Sequence, residues 1–156
     1  MLWDHNSDLP VVRTDTGKLR QILRNLIDNA IKFTERGQVT VSARVLNDVT
    51  PPARSRSAGA DKPGQKWVEF KIVDTGIGIQ LEALPTIFGM FRQVDSSQTR
   101  SYGGVGMGLY IVQKLTDLLG GSIAVESELG KGSTFTVTIP IGNRLRSSGH
   151  SQEHAA

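Results

Sequence analysis

Asn25-Leu-Ile-Asp-Asn29-Ala-Ile-Lys32-Phe33 decides how this chain is read. The apolar residues in and before it, Leu19, Ile22, Leu23, Leu26, Ile27, Ala30 and Ile31, recur at helical spacing. They predict an amphipathic helix over 15–34, with Thr14 or Asp15 as N-cap and Gly37 as its stop. Asn25, Asn29 and Lys32 stand at i, i+4 and i+7, inside an arc of about 60° at 100° per residue. That arc borders the apolar stripe instead of opposing it, so the three side chains reach a cleft beside the core. On spacing alone, a solvated polar face explains them at least as well.

Outward from this helix the pattern alternates. Pro10-Val-Val-Arg13 reads as a short edge strand, because Pro is tolerated at a strand start. In 38–46, Val39, Val41, Ala43 and Val45 share one face, as a strand requires, and Trp67–Val73 alternates again. These two strands are expected to form a hairpin across an aperiodic, Pro/Gly/Ser-rich loop at 48–66. Leu81–Phe88 is a short helix candidate interrupted by Pro85. The polar stretch 89–105 is long for a simple connection and suggests a lid. Leu109, Val112, Leu115 and Leu119 predict a second helix over 106–119, closed by Gly120-Gly121. Ser122–Ser127 and Ser133–Ile139 form a closing hairpin. The expected fold class is α+β: a two-layer α/β sandwich with helices on one face of a mixed, mostly antiparallel sheet. We divide the chain into an irregular segment 1–9, one domain over 10–141, and a polar, disordered tail 142–156.

Bulk properties narrow the class. A length of 156 residues suits one domain, and 38% hydrophobic with 21% charged residues is ordinary for a soluble protein. With no Cys, neither a disulfide framework nor a thiolate metal site is available. No apolar run approaches the roughly 20 residues that span a bilayer, and no signal-peptide pattern is present. The net charge of +3 is scattered; the small group Arg54, Arg56, Lys62 and Lys66 reads as a solvated loop. Nucleic-acid binding would want a denser basic face with aromatic platforms.

Four further motifs carry chemistry. Asp74-Thr-Gly76-Ile-Gly78-Ile79 follows a strand directly. A carboxylate there can accept from an exocyclic amine, while two glycines let backbone pass close to a flat base. A plain Asp-Thr-Gly turn is the alternative. An aspartic protease would need two such Asp residues, and the other tripeptide, Asp15-Thr-Gly17, opens a helix. Gly103-Gly104-Val-Gly106-Met-Gly108-Leu109 leads into a helix, whose N-terminal N–H groups suit phosphate. It is no dinucleotide fingerprint, lacking a preceding strand, and no P-loop, lacking Gly-Lys-Ser/Thr at the required spacing. Phe88-Gly-Met-Phe91 flanks the lid, and Gly130-Lys131-Gly132-Ser-Thr134-Phe135 reads equally as a hairpin turn. Asn amides offer neutral oxygens to Mg2+, and Lys32 can meet a phosphate as a point charge.

In this order the five motifs resemble the catalytic, ATP-binding domain of two-component sensor histidine kinases, over about residues 10–140. The resemblance implies the Bergerat-type fold shared with gyrase and MutL-like ATPases. It implies Mg2+ on Asn29, phosphate on Lys32, adenine packing on Phe33, and adenine reading by Asp74 with Thr134 nearby. It further implies nucleotide contacts at Gly76, Gly78, Ile79, Gly104, Gly106, Gly108 and Leu109. Two positions depart from the commoner pattern: Val105 replaces a hydroxyl residue, and Gln93 stands where many relatives have Arg, as in hybrid-kinase-like members. With Gln at 93, Arg92 or Arg100 becomes the expected lid cation.

Asn25 separates two activities. Hydrolytic members of the superfamily hold a Glu there to orient the attacking water; an amide cannot act as a general base. Phosphoryl transfer helped by Asn25 and Lys32 is therefore expected, rather than efficient hydrolysis. The three histidines, His5, His150 and His154, lie in irregular termini, so the phosphoacceptor His is expected on a separate domain. The expected ligands are ATP or ADP and Mg2+. The expected partners are that acceptor domain and a response-regulator receiver domain, with no nucleic acid and no membrane contact. Alone, the chain is expected to be a cytoplasmic monomer.

Overall fold

Asp15 opens the first helix. In the structure, a computed structural model that describes residues 2–5, 11–47, 65–89 and 107–142, its Oδ1 accepts the N–H of Lys18 at 3.0 Å. Its other oxygen pairs with the Lys18 ammonium, and that hydrogen bond holds the carboxyl below its ordinary range. Helix α1 runs Thr16–Lys32 with Phe33 as C-cap. It ends before Gly37 because the Phe33 carbonyl is taken from outside, by the N–H of Ile77 at 3.1 Å.

Five strands follow in one sheet: β1 (Leu2–His5), β2 (Val39–Leu46), β3 (Trp67–Asp74), β4 (Ser122–Glu128) and β5 (Gly132–Pro140). Their spatial order is β1-β2-β3-β5-β4. All neighbours are antiparallel except β1, which lies parallel to β2. The β2–β3 and β4–β5 hairpins are those the alternation predicts.

The sheet edge corrects the sequence reading. Residues 1–9 were expected to be irregular and Pro10–Arg13 a strand; instead Leu2–His5 pairs with β2, and 11–13 carries no strand. The open edge of β2 needs donors and acceptors. An extended Leu-Trp-Asp-His supplies them, whereas Pro has no N–H to give. Likewise the helix expected over 81–88 is only a 3-10 turn, Leu84–Thr86, since Pro85 cannot join an α-helical ladder.

Helix α2 (Gly108–Leu118) packs beside α1, and both lie on one face of the sheet. Ile22, Leu26 and Ala30 of α1 meet Val112 and Leu119, with Val39, Val41, Val68, Ile72, Phe135, Val137 and Ile139 beneath them. Thr116, one turn after Val112, is also fully buried and donates its hydroxyl to the Val112 carbonyl at 2.7 Å. Leu26→Ala leaves a cavity at the centre of this core and is expected to cost about 2–5 kcal/mol, read as a lower urea midpoint with the slope unchanged.

Candidate functional site

Asp74 is the last residue of β3, in phase with Val68 and Ile72, so the pleat that buries those side chains buries its carboxylate too. Only 6% of the residue is exposed. Its Oδ1 accepts the N–H of Gly76 at 2.9 Å and of Ser133 at 3.3 Å. No described residue hydrogen-bonds its second oxygen. Burial raises the carboxyl above its ordinary value, and the two N–H groups only partly offset this.

The segment after Asp74 is clamped on both sides. The Ile77 carbonyl accepts the N–H of Gly130 at 2.7 Å, while the Ile77 N–H reaches back to Phe33. The Ile79 N–H donates to Ser127 Oγ at 2.8 Å. This gives Gly76 and Gly78 a reason the sequence did not suggest. A Cβ on Gly76 would stand 2.2 Å from the Phe33 carbonyl oxygen. One on Gly78, at φ +69°, would stand 2.1 Å from that of Glu128. Their closest neighbour is the protein's own backbone. Packing at Gly76 also buries the Thr34 hydroxyl, which has no partner among the described residues.

The end of α1 supplies the other half. A Cβ placed on Gly108, the first residue of α2, would lie 3.7 Å from Asn25 Oδ1 and 4.0 Å from Asn29 Nδ2. Both amides therefore face the start of α2, and both residues are half-buried. Met107, the α2 N-cap, offers no side-chain acceptor, and the first turn holds no acid. Lys32 Nζ stands 5.2 Å from the centroid of the Phe33 ring. Ile79 and Leu109 are partly buried against the core that supports these groups. One hydrogen-bonded path joins the two halves, from Asn29 through Phe33 and Ile77 to the Asp74 loop.

The structure thus brings together Asn25, Asn29 and Gly108, and separately Phe33, Asp74, Gly76, Gly78 and Ile79. Thr134 sits in the other phase of β5 yet lines a cleft with Asp74. In β5 the buried phase is Ser133, Phe135, Val137 and Ile139, and Thr134 pairs with Val73 on the opposite face. Ser133 sits opposite Asp74 in the ladder. The apolar alternation already carried this signal, since Ser133 is in phase with Phe135 and Thr134 is not. A cleft of about 390 Å³ is lined by Asp74, Ser127 and Ser133 together with Val73, Lys131 and Thr134. Arg100, Gly104 and Gly106 lie outside the described residues, as do Phe91, Arg92, Gln93 and Val105. Among the described residues no group of three or more His, Cys, Asp or Glu could hold a metal ion. The donor set fits Mg2+ only as a shared ligand, an amide oxygen beside phosphates and water.

A family model described as "Histidine kinase-, DNA gyrase B-, and HSP90-like ATPase" matches residues 14–143. The chain belongs to this family. It is 38% identical over 148 residues to hybrid signal transduction histidine kinase D of Dictyostelium discoideum, covering 88% of this chain and 9% of that protein. It is 44% identical over 130 residues to the autoinducer 2 sensor kinase/phosphatase LuxQ of Vibrio vulnificus, covering 83% and 14%. Among solved structures, full-length ShkA in complex with AMPPNP superposes with a TM-score of 0.68 at 34% identity, over 92% of this chain and 26% of that one. The domain is thus the ATPase-type catalytic domain found in histidine kinases, and the chain spans only a small part of the length of the curated relatives it matches. No helix among the described residues is long and apolar enough to cross a membrane.

Asp74 sets a test of this geometry. Its folded-state carboxyl titrates above the ordinary value near 3.8, so the folded chain binds the proton more tightly than the unfolded chain. Stability is therefore lost as pH rises through that window, and the penalty is fully present at neutral pH. Asp74→Asn keeps an acceptor for Gly76 and Ser133 but removes the buried charge. It is expected to stabilise the ligand-free chain by about 1 kcal/mol at pH 7, a gain that should vanish below the ordinary carboxylate range in thermal melts.

Proposed function

We propose that this domain binds Mg-ATP between the end of α1, the Asp74 loop and the start of α2. We further propose that it donates the γ-phosphoryl group to a histidine on a separate helical domain, as the kinase step of two-component signalling. The observation that carries the reading is Asp74: a buried carboxylate with one oxygen held by backbone N–H groups and the other without a hydrogen bond among the described residues. Such an oxygen suits the amine of adenine. Ser133 beside it, rather than Thr134, is the hydroxyl of this corner.

The remaining roles follow from chemistry. The Asn29 amide is the group to hold Mg2+, and Lys32 is a cation for phosphate. The uncapped first turn of α2 offers N–H groups to phosphate oxygens. Mg2+, when bound, neutralises charge on the transferring phosphate. Asn25, facing the same helix start, cannot take a proton from water, which favours transfer over hydrolysis. The parent protein's phosphorelay would place a receiver domain downstream. We propose that the unit works on the cytoplasmic side and is monomeric when alone.

Calorimetric titration of Mg-ADP and Mg-ATP is expected to give micromolar-to-submillimolar binding. Asp74→Asn should weaken it about 10–100-fold, as loss of a charge-assisted hydrogen bond implies. Asn29→Ala should weaken Mg-ATP binding more than binding measured in excess EDTA. Label transfer from γ-labelled ATP to an added helical His domain, with little phosphate release, supports the kinase reading. No binding by the folded wild type would sink it.

A further inference from the structure

Ser127 plays no part in the roles above, yet its hydroxyl is the most heavily used side-chain group near Asp74. It lies in β4, in phase with Val125 and Ile123, directly across the ladder from Ser133. Three groups surround its Oγ: the Ile79 N–H at 2.8 Å, the Gly132 carbonyl at 2.9 Å and Ser133 Oγ at 3.0 Å. A hydroxyl has one proton and two lone pairs. The Ile79 N–H can only donate, so it takes one lone pair. The Gly132 carbonyl can only accept, so it takes the proton. One lone pair remains for Ser133, whose hydroxyl must then be the donor if all three contacts are made together.

That accounting has a consequence one residue away. The single proton of Ser133 is committed to Ser127 and turned from Asp74. What Ser133 Oγ has left is acceptor capacity, and an ionised Asp74 is also acceptor-only. We infer that Ser127 is a positioning residue: by fixing the Ser133 proton it makes this corner accept and never donate. The corner thereby prefers a ligand edge bearing an N–H donor to one bearing a carbonyl. The inference rests on the nucleotide reading above and assigns to Ser127 the control of its base preference.

Adenosine and inosine diphosphates make the comparison, since inosine carries a carbonyl where adenosine carries the amine. Both are titrated calorimetrically, with Mg2+, into wild type, Ser127→Ala, Ser127→Cys and Ser127→Thr, each checked for folding by circular dichroism. Wild type should bind ADP in preference to IDP. In Ser127→Ala the released Ser133 proton can turn to meet a carbonyl, so the preference ratio should fall by about tenfold, one hydrogen bond's worth. Ser127→Cys, whose sulfur is a weak acceptor, should move the ratio the same way and serves if the Ala variant does not fold. Ser127→Thr keeps the hydroxyl and should keep the ratio. Equal weakening of both ligands, with the ratio unchanged, would overturn the inference while leaving the nucleotide reading intact. Binding of neither ligand by folded wild type would remove that reading, and the inference with it.

Discussion

A charge held out of water at the end of β3 is the constraint on which this end of the molecule depends. Burying a carboxylate is costly unless its oxygens are hydrogen-bonded. Asp74 meets that demand in part, at Oδ1, with backbone N–H groups from Gly76 just after it and Ser133 across the ladder. Those donors exist only because the chain turns back tightly after β3 and because β5 pairs with β3 in this register. The tight turn in turn needs a residue without a Cβ against the Phe33 carbonyl. Sheet register, glycine placement and helix ending are thus linked by the solvation of one side chain.

The same linkage explains how the proposed nucleotide site can be split between two layers yet stay in one arrangement. Asn25 and Asn29 project from α1, and Asp74 from the sheet. The layers are held by the Leu26 and Ile72 core and tied at the site by the Phe33–Ile77 hydrogen bond. The site keeps a raised carboxyl whose charge lowers stability at neutral pH. On the proposed reading, function and stability pull in opposite directions at this residue, as they commonly do where a polar group is held ready for a ligand.

Much of this was legible in the residues. The α1 stripe, the β2–β3 and β4–β5 hairpins and Asp74 at a strand end follow from periodicity alone, because both layers bury one clean face. The family follows from motif order. What escaped was set by partners distant in sequence. Leu2–His5 has too few residues to declare a strand, and becomes one because β2 has an edge to fill. The glycines of the Asp74 loop looked made for a flat ligand, whereas their tightest neighbours are Phe33 and Glu128, about 40 and 50 residues away. Ser133 was readable from its phase with Phe135, whereas the resemblance pointed to the adjacent Thr134. Ser127 could not be found this way, since its importance lies in three contacts that only the folded hairpin brings together.

The turn Leu129–Lys131 shows what such a clamp does to the chain's freedom to change. Its residues are exposed, and an exposed hairpin tip ordinarily accepts insertions and peptide tags. Here the tip also donates the Gly130 N–H to Ile77 and sets the Glu128 carbonyl against Gly78. Its length is therefore fixed by a loop some 50 residues earlier. Lineages or engineers wishing to decorate this domain would find the tip closed to them, although nothing at the surface advertises the restriction.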